Sequence, residues 1–501
     1  MPRCGEIRLV ANATRIAALG SRAATFHIRH MIQQPPPLVV EIAWQAPWQA
    51  ARRLGHRDGT TVPGLTFLDS AMRHPVLGRW SYLMAEPFGR FRVEAGVPRW
   101  NGAREAGAPL EALRARLKAY AQPRLPGDAA FQAGAAGYVA YEAGRLFDRF
   151  PTAQPEPGEG PEVDLGFYDV VIAFDVVAER AFIISTGWPE ADPTRRARRA
   201  RERLEQASAL LAAPEAPLGS PVLAQHWRSN FDAASYRHAV ARVIDYIRAG
   251  DIFQANFTQR FEAQLGTVDP LALYDQLRRA NPATFAALIV NEDRVIASSS
   301  PERFVKLDGA EVETRPIKGT VPRSVEPTLD AFRGRALTTS EKDRAENVMI
   351  VDLLRNDLSR VCRPGSVKVP RLCGLETYAN VHHLVSVVTG ALQEGRDGLD
   401  LLAASFPGGS ITGAPKIRAM EIIRELEGRP RGVYCGSIGY IGFDGTMDFN
   451  IAIRTVTVEG GRASFGVGGG ITTLSDPAAE HAESLTKAER LFRAVSPEAL
   501  A

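Results

Sequence analysis

The chain has 501 residues, of which 45% are apolar and 23% are charged, a composition typical of a soluble globular protein. The formal net charge of +3 is close to balance for this length, so it argues neither for nor against an acidic partner. No apolar run approaches the roughly 20 residues needed to span a bilayer, which excludes a membrane-spanning chain. The length suits two or three ordinary domains, or one large core with a second lobe.

The four cysteines are scattered, with no Cys-x-x-Cys pair and no nearby histidine at the spacing of a zinc site. We therefore expect reduced thiols and a cytoplasmic protein. Residues 1–36 are rich in arginine, carry the single acid Glu6 and lack a compact apolar stretch, so a secretory signal is not expected. A transit peptide, a disordered extension and an early start codon ahead of Met31 remain open, and we favour the last two.

Residues 37–190 alternate short apolar runs with Gly and Pro turns, as in 134–141 and 166–175, which predicts a strand-rich N-terminal lobe. Residues 191–228 are predicted to be a helical linker, in which Asp192 begins an arginine-rich helix. No aromatic residues are interleaved with these arginines, so we interpret them as a solvated helix face and expect no nucleic-acid partner.

Residues 229–497 form the second predicted domain. Apolar residues from Tyr236 to Ile247 recur at helical spacing, and Gly250 is placed to end that helix. From Ile252 to Phe261 the period changes to two, which predicts a strand.

Two predicted helices in this domain each carry a pair of acids. Ser340 and Asp343 have the spacing of an N-terminal capping box, and Asp343 and Glu346 share one helix face. Carboxylate pairs suit Mg²⁺, which prefers oxygen ligands and keeps waters that further acids can hold. Acids at this spacing are also common on exposed helices, so one pair alone does not identify a metal site.

The second acid-bearing helix is predicted to begin at Asp476, with Pro477 in its first turn. Glu480 and Glu483 lie three residues apart, and Lys487 follows one turn after Glu483. Two such pairs on separate helices would supply the oxygen ligands of a magnesium site if the helices converge.

Two glycine-rich stretches fail the tests for nucleotide-binding loops. The lysine of 406–416 does not directly follow the second glycine of a Walker motif, and 466–470 lacks the third glycine of a dinucleotide-binding fingerprint. Consecutive glycines nevertheless let backbone N–H groups approach an anion such as a carboxylate closely. That second stretch ends in three of them: Gly468, Gly469 and Gly470.

Several segments occur together in a fixed order. They are Ser300–Arg303, Pro316–Thr320, Asp343–Asp357, His382–Ser386, Gly408–Met420, Gly436–Tyr440 and Gly468–Glu483. This arrangement closely resembles the chorismate-binding domain shared by component I of anthranilate synthase, aminodeoxychorismate synthase, and the isochorismate and salicylate synthases. The resemblance covers roughly residues 229 to 496, and 67–70 and 137–141 look like the weaker N-terminal lobe of the same family.

The resemblance implies an α+β fold of stacked, largely antiparallel sheets flanked by helices, with both lobes forming one large unit. It also implies Mg²⁺ as the cofactor. Glu346 and Glu483 match its direct ligands, and Asp343 and Glu480 match the acids that hold its waters.

The substrate implied by the resemblance is chorismate. Its ring carboxylate would lie beside the amides of Gly468–Gly470, and Arg454 and Tyr434 match the positions that hold the enolpyruvyl carboxylate. A guanidinium is well suited to bidentate carboxylate recognition. Ser410 and Lys487 match further pocket positions.

Four residues bear on the reaction. Glu302 matches the general acid for the departing C4 hydroxyl, and His383 matches a histidine that faces the ring. Lys318 stands where anthranilate synthases have alanine, and a lysine here is characteristic of aminodeoxychorismate synthases. Gln254 stands where water-adding members have a lysine, and an amide cannot take a proton from water, so water addition is disfavoured.

These matches imply that Lys318 forms a covalent intermediate and that ammonia displaces it to give 4-amino-4-deoxychorismate, a precursor of p-aminobenzoate and folate. The chain has no cysteine elbow of a glutaminase, so a separate glutamine amidotransferase subunit is the implied ammonia source. An anthranilate synthase with an unusual lysine and a non-catalytic chorismate-binding regulator are the alternatives. Asp69-Ser70 stands where tryptophan-inhibited relatives show Glu-Ser, so tryptophan binding stays open.

Overall fold

A computed structural model gives the structure of most of the chain. It describes residues 37–57, 60–74, 77–124, 129–147, 160–378 and 381–495. The extension predicted at residues 1–36 lies outside this described part.

The strands, in chain order, are β1 (Leu38–Ile42), β2 (His56–Arg57), β3 (Thr60–Thr61), β4 (Leu65–Asp69), β5 (Trp80–Met84), β6 (Gly89–Glu94), β7 (Val97–Trp100), β8 (Ala103–Arg104), β9 (Gly134–Val139), β10 (Val163–Tyr168), β11 (Val170–Asp175), β12 (Arg180–Ser185), β13 (Gln225–Ser229), β14 (Gln254–Gln264), β15 (Phe285–Val290), β16 (Arg294–Ser300), β17 (Arg303–Asp308), β18 (Glu311–Thr314), β19 (Ile317–Pro322), β20 (Lys368–Thr377), β21 (Val381–Ala391), β22 (Gly413–Ala414), β23 (Ser437–Gly442), β24 (Met447–Asn450), β25 (Thr455–Glu459) and β26 (Arg462–Ile471). The α-helices are α1 (Pro47–Leu54), α2 (Pro109–Ala119), α3 (Gly144–Phe147), α4 (Pro193–Ala212), α5 (Ala233–Arg248), α6 (Pro270–Ala280), α7 (Pro327–Thr339), α8 (Glu341–Ser359), α9 (Gly398–Ser405), α10 (Lys416–Glu427) and α11 (Pro477–Ala494). Within the described ranges, none of these helices is long and apolar enough to cross a membrane.

Two antiparallel sheets of twelve strands each organise the described residues. The first has the order β1-β12-β11-β5-β4-β15-β16-β25-β26-β14-β13, with β22 paired to β14. The second has the order β19-β21-β18-β17-β24-β23-β9-β10-β6-β7-β8, with β20 paired to β21. Early and late strands are neighbours in both sheets, since β4 pairs with β15 and β9 pairs with β23. The prediction of one large α+β unit is confirmed, and the domain boundaries at 190 and 228 stay predictions.

The core forms layers on both sides of each sheet. Between the sheets, aromatic rings from both halves of the chain meet, as where Phe131 stacks on Tyr440 with ring centroids 4.3 Å apart. The outer face of the first sheet packs on α1, α6 and α11, and that of the second packs on α8 and α9. Each large apolar side chain buried in this way stabilises the fold by roughly 1.5–3 kcal/mol, which holds the helices that carry the predicted site residues.

Helix α4 begins directly after the predicted residue, where the Asp192 side chain accepts a hydrogen bond from the Arg195 amide. The interpretation of its arginines as a solvated face is wrong for part of the run. Arg196 is buried and lies over the Trp188 ring, 3.4 Å from its centroid. Arg203 lies 3.6 Å from the carboxylate of buried Asp169. Helix α4 packs against β12, so one side of the helix is enclosed.

Candidate active site

Helix α8 carries the first pair of acids. The Ser340 half of the predicted capping box is present, because the Ser340 hydroxyl accepts a hydrogen bond from the Asp343 amide at 3.3 Å. Ile350 on the same helix is fully buried, which fixes the rotation of the helix against the second sheet. Glu346 is turned toward Lys318, with 3.9 Å between Oε2 and Nζ and both side chains only 11% exposed.

Helix α11 carries the second pair. It begins after Asp476, whose side chain accepts two backbone hydrogen bonds. Glu480 is buried and lies 3.2 Å from the ammonium of Lys342, a residue of α8. Glu483 forms an ion pair of 2.8 Å with Lys487 one turn along. Burial opposes the ionisation of Glu483, but the charge and hydrogen bond of Lys487, together with the charges of Lys342 and Lys318, lower the pKa of that carboxyl.

The glycines of β26 bring the two acid pairs together. A Cβ atom added at Gly469 would lie 3.4 Å from Oε2 of Glu480 and 3.8 Å from Oε1 of Glu483. One added at the next residue, Gly470, would lie 3.1 Å from Oε2 of Glu346. The acids of α8 and α11 therefore approach one short stretch of the β26 backbone, and Lys342 of α8 contacts Glu480 of α11 at 3.2 Å.

Lys318 lies on β19, where the pairing with β21 is irregular between Ile317 and Thr320. Gly319 within this irregularity has a φ of +81°, which favours glycine and turns the lysine out of the regular strand pattern. The lysine Nζ donates a hydrogen bond to the carbonyl oxygen of Ser410 at 3.1 Å. Burial lowers the pKa of Lys318, although the nearby carboxylates oppose that shift. A fraction of neutral amine is therefore available at a lower pH than for an exposed lysine.

Glu302 lies close to this lysine. Its side chain is buried, and it accepts a weak hydrogen bond from the Ile317 amide at 3.4 Å. Burial raises the pKa of Glu302 to about 7, against the opposing effects of Ser410 and Lys318. Near neutral pH the carboxyl group is therefore protonated in a substantial fraction of molecules, as a general acid requires.

His383 and Arg454 occupy another part of the site. The His383 Nδ1 is 2.8 Å from the Thr320 hydroxyl on the neighbouring strand. Burial lowers the pKa of His383 to about 3, and the positive charges of Arg454 and Arg490 act in the same direction. The imidazole is thus neutral at physiological pH. Arg454 has a left-handed φ of +52° and donates to the Asn281 amide oxygen over 3.4 Å.

The remaining predicted residues border this region. Tyr434 packs against Gly466, two residues before Gly468 on β26, and shares a small cavity with Thr455. Lys487 donates from Nζ to the Gly468 carbonyl oxygen at 2.9 Å, which anchors α11 to the glycine strand. The structure thus gathers Glu346, Glu480 and Glu483 around Gly469 and Gly470, places Asp343 beside Gly319, and brings Lys318 close to Glu346.

Residues 74–493 match the sequence family described as chorismate binding enzyme. This match spans most of the chain, including every residue of the site described above. The chain belongs to the chorismate-binding enzyme family.

Relatives with two different names resemble this chorismate-binding enzyme. Aminodeoxychorismate synthase component 1 of Salmonella typhimurium is 42% identical over 77% of this chain and 82% of its own. Anthranilate synthase component 1 of Streptomyces coelicolor is also 42% identical, over 78% of each chain. The crystal structure of anthranilate synthase component I from Streptococcus pneumoniae superimposes with a TM-score of 0.74 at 30% identity, covering 89% of this chain and 97% of that one.

The acidic side chains at the predicted magnesium site of this chorismate-binding enzyme can be compared with the ligands that Mg²⁺ prefers. Among the described residues, no group of three or more His, Cys, Asp or Glu side chains is close enough to hold a metal ion, and three of the acids lie beside lysines instead. The candidate ligand atoms are carboxylate oxygens around the glycines of β26, and a hard cation prefers oxygen ligands. Glu346 and Glu483 as direct ligands of Mg²⁺, Asp343 and Glu480 as the acids on its waters, and magnesium itself all stay predictions.

Gln254 lies against the same glycine strand. It is 1% exposed, and neither its amide nitrogen nor its amide oxygen has a hydrogen-bond partner among the described residues. A Cβ atom at Gly470 would collide with its Nε2 atom. The amide therefore borders Glu346, and its correspondence to the lysine of the water-adding enzymes stays a prediction.

Three contributors were not predicted. Lys342 pairs with Glu480 across the two helices, and only the packing of α8 on its neighbours reveals this. Asn281 contacts Arg454 from the end of α6. Arg490 could have been found from helical spacing, because it lies one turn beyond Lys487 on α11.

Proposed function

We propose that this chain is component I of an aminodeoxychorismate synthase, which converts chorismate and ammonia to 4-amino-4-deoxychorismate on the route to p-aminobenzoate and folate. The observation that carries the proposal is the position of Lys318. Its amine is buried, 3.1 Å from the Ser410 carbonyl oxygen and 3.9 Å from Glu346. Relatives named for either reaction match equally well, so this lysine is the residue that favours C4 amination over anthranilate formation.

Lys318 acts as the nucleophile in the first step. Its neutral amine forms a bond to C2 of the ring while the two ring double bonds shift and the C4–O bond breaks. Glu302 donates its proton to the departing hydroxyl, which leaves as water. The products of this step are a lysine adduct and the Glu302 carboxylate.

Ammonia completes the reaction in the second step. Its nitrogen bonds to C4, the double bonds shift back, and the bond between C2 and the Lys318 nitrogen breaks. The new ammonium group loses a proton to the Glu302 carboxylate, so both side chains return to their starting states. The net change replaces the C4 hydroxyl by an amine and releases one water.

The other residues orient a dianionic substrate. When bound, Mg²⁺ would neutralise the ring carboxylate beside the amides of Gly468–Gly470. Arg454 would hold the enolpyruvyl carboxylate through its guanidinium. The neutral imidazole of His383 can face the ring without adding a charge.

The proposal includes a second protein as the ammonia source. The relatives named component 1 imply a partner component by their name. A glutamine amidotransferase subunit is the proposed partner, because it would release ammonia next to the lysine adduct.

The test is the identity of the product from chorismate, Mg²⁺ and ammonium salt. We expect 4-amino-4-deoxychorismate without pyruvate, and joint release of anthranilate and pyruvate would contradict the proposal. Tight chorismate binding without turnover at high ammonium would favour the non-catalytic alternative.

Lys318→Ala tests the covalent role. We expect the rate of amination to fall at least about 100-fold while the chorismate dissociation constant changes less than about threefold. The reason is that the lysine acts in the chemical steps and does not contribute to the binding of the substrate. Lys368→Ala, which removes an exposed lysine from β20, is the matched control. Unchanged turnover in Lys318→Ala would contradict the covalent mechanism.

A further inference from the structure

Arg431 is a buried arginine that no step of the proposed reaction uses. It lies between α10 and β23, and its side chain is 3% exposed. Its Nη2 atom is 2.7 Å from Oε1 of Glu427, the last residue of α10, whose side chain is 6% exposed. The Tyr141 ring covers the guanidinium, with 4.6 Å between the guanidinium carbon and the ring centroid. Buried charges are costly unless they are paired and hydrogen-bonded, so the contacts that pair this arginine also fix its position.

The guanidinium of Arg431 also connects two separate segments of the backbone. Its Nη1 atom donates a hydrogen bond to the Ile411 carbonyl oxygen at 2.7 Å, and Nη2 donates one to the Asn256 carbonyl oxygen at 2.6 Å. Ile411 ends the short 3₁₀ turn Gly409–Ile411, and Asn256 lies on β14. A single side chain therefore links this turn to the strand.

Glu427 attaches the ion pair to the same strand. Its Oε1 atom accepts hydrogen bonds from the Thr258 amide and the Thr258 hydroxyl, each at 2.8 Å. Thr258 lies two residues after Asn256 on β14. A hydrogen bond with an ionised partner is about twice as strong as one between neutral groups. The ion pair thus gives the turn a firm attachment to β14.

The turn carries the carbonyl group that holds the proposed nucleophile. Ser410 directly precedes Ile411, and its carbonyl oxygen accepts the hydrogen bond from the Lys318 amine at 3.1 Å. Oε2 of Glu346 lies 3.9 Å from the same amine. If the turn moved away, the amine would pair with this carboxylate, and an ion pair favours the protonated amine, which cannot attack a carbon atom. The position of the turn therefore determines the position of the amine.

We infer that Arg431 is a positioning residue, which fixes the turn Gly409–Ile411 on β14 so that the Ser410 carbonyl holds the Lys318 amine in place for attack. This inference rests on the proposed function, because it takes Lys318 as the nucleophile. Arg431 acts through the turn and contacts neither the substrate nor the reacting atoms. A displacement of a reacting group by about 1 Å can lower a rate about 100-fold, so a contact at this distance from the chemistry can still control kcat.

The experiment compares Arg431→Lys with Glu427→Gln. The lysine keeps the charge beside Glu427 but lacks the planar fork that reaches the carboxylate and both carbonyl oxygens together. We expect kcat to fall about 10- to 100-fold with the chorismate dissociation constant within about threefold, because Arg431 acts on the amine and not on the bound carboxylates. Glu427→Gln keeps the guanidinium and its two carbonyl contacts, so its kcat should stay within about threefold of the unaltered protein.

Two controls separate this role from a general loss of structure. Arg429→Ala removes an exposed arginine two residues away and should leave kcat and affinity unchanged. Calorimetry with chorismate and Mg²⁺ counts the binding-competent molecules, so that each rate is expressed per folded site. Unchanged kcat in Arg431→Lys, equal losses of kcat in Arg431→Lys and Glu427→Gln, or an Arg431→Lys protein without folded sites would overturn the inference and leave Arg431 a role in stability alone.

A double variant tests whether Arg431 acts through Lys318. In the Lys318→Ala background, Arg431→Lys should not lower the single-turnover rate of chorismate consumption further, because the amine that it positions is already absent. A further loss as large as in the unaltered background would overturn the inference. Formation of anthranilate by the unaltered protein would instead contradict the proposed function alone, because this comparison follows chorismate and not the product.

Discussion

Burial acts in opposite directions on the two groups that carry the proposed chemistry. It raises the pKa of Glu302 to about 7 and lowers the pKa of Lys318, so each moves toward its neutral form. The neutral carboxyl can donate a proton and the neutral amine can attack a carbon atom. One enclosed environment therefore prepares both an acid and a nucleophile, as the reaction needs.

The pH dependence follows from these shifts. Glu302 must be protonated, so we expect kcat/KM to fall as the pH rises through about 7 at a fixed concentration of neutral ammonia. Glu302→Gln should lower the rate by about 10²–10⁴-fold and remove this inflection, because an amide neither donates nor titrates there. A profile of Glu302→Gln with the same inflection near pH 7 would assign that titration to another group.

The predicted metal site is tested by neutralising one ligand. We expect Glu346→Gln to weaken Mg²⁺ binding about tenfold or more, because an uncharged amide oxygen attracts a hard cation less strongly than a carboxylate does. Calorimetric titration of Mg²⁺ in the presence of chorismate measures this change. Glu341→Gln, at an exposed position of the same helix, is the control and should bind Mg²⁺ normally. Equal affinities in the two variants would remove Glu346 from the ligand set.

At the scale of single elements, β26 shows why its glycines cannot be exchanged freely. Its residues pair with β14 along ten positions, from Ala255 with Ile471 to Gln264 with Arg462. Within this regular strand, side chains at Gly469 and Gly470 would point into the space between the acids. The strand therefore contributes backbone N–H groups to the site and leaves the volume beside them open.

Two neighbouring substitutions in β26 should differ in effect. At Gly470 an added Cβ would collide with the Gln254 amide, whereas at Gly469 the nearest atoms would be at an ordinary contact distance of 3.4 Å. We expect Gly470→Ala to raise the KM for chorismate at least about tenfold and Gly469→Ala to raise it less, since overpacking of a filled site is costly. Steady-state kinetics of both variants decides this, and the reverse order would contradict the geometry.

At the scale of the whole molecule, the two halves of the sequence complete each other's sheets. Strand β15 pairs with β4 along five residues, and β23 pairs with β9 along six. The cluster that contains Trp48, Phe67 and Phe174 also contains Phe465 and Leu491 of the C-terminal half. The proposed catalytic residues lie in the C-terminal half, whereas the sheets that support them contain strands from both halves.

A fragment of residues 229–501 should therefore not fold independently. Without β4 and β9 it would expose two apolar strand edges, which favours aggregation over a cooperative native state. We expect this fragment to lack the near-UV circular dichroism and the cooperative urea unfolding of the full chain. A fragment that unfolds cooperatively and binds chorismate would show that the shared sheets are dispensable.

Local spacing was sufficient to predict the helix starts at Ser340 and Asp476, the strand near Gln254, and the acids on single helix faces, because caps and periodicity depend on neighbours within a few residues. The motifs were sufficient to predict the fold class by resemblance. The pairing of Lys342 with Glu480 and the contact of Arg203 with Asp169 emerged only from the folded chain. These contacts join residues far apart in sequence, and their geometry depends on how two sheets and their helices pack, which no short-range pattern encodes.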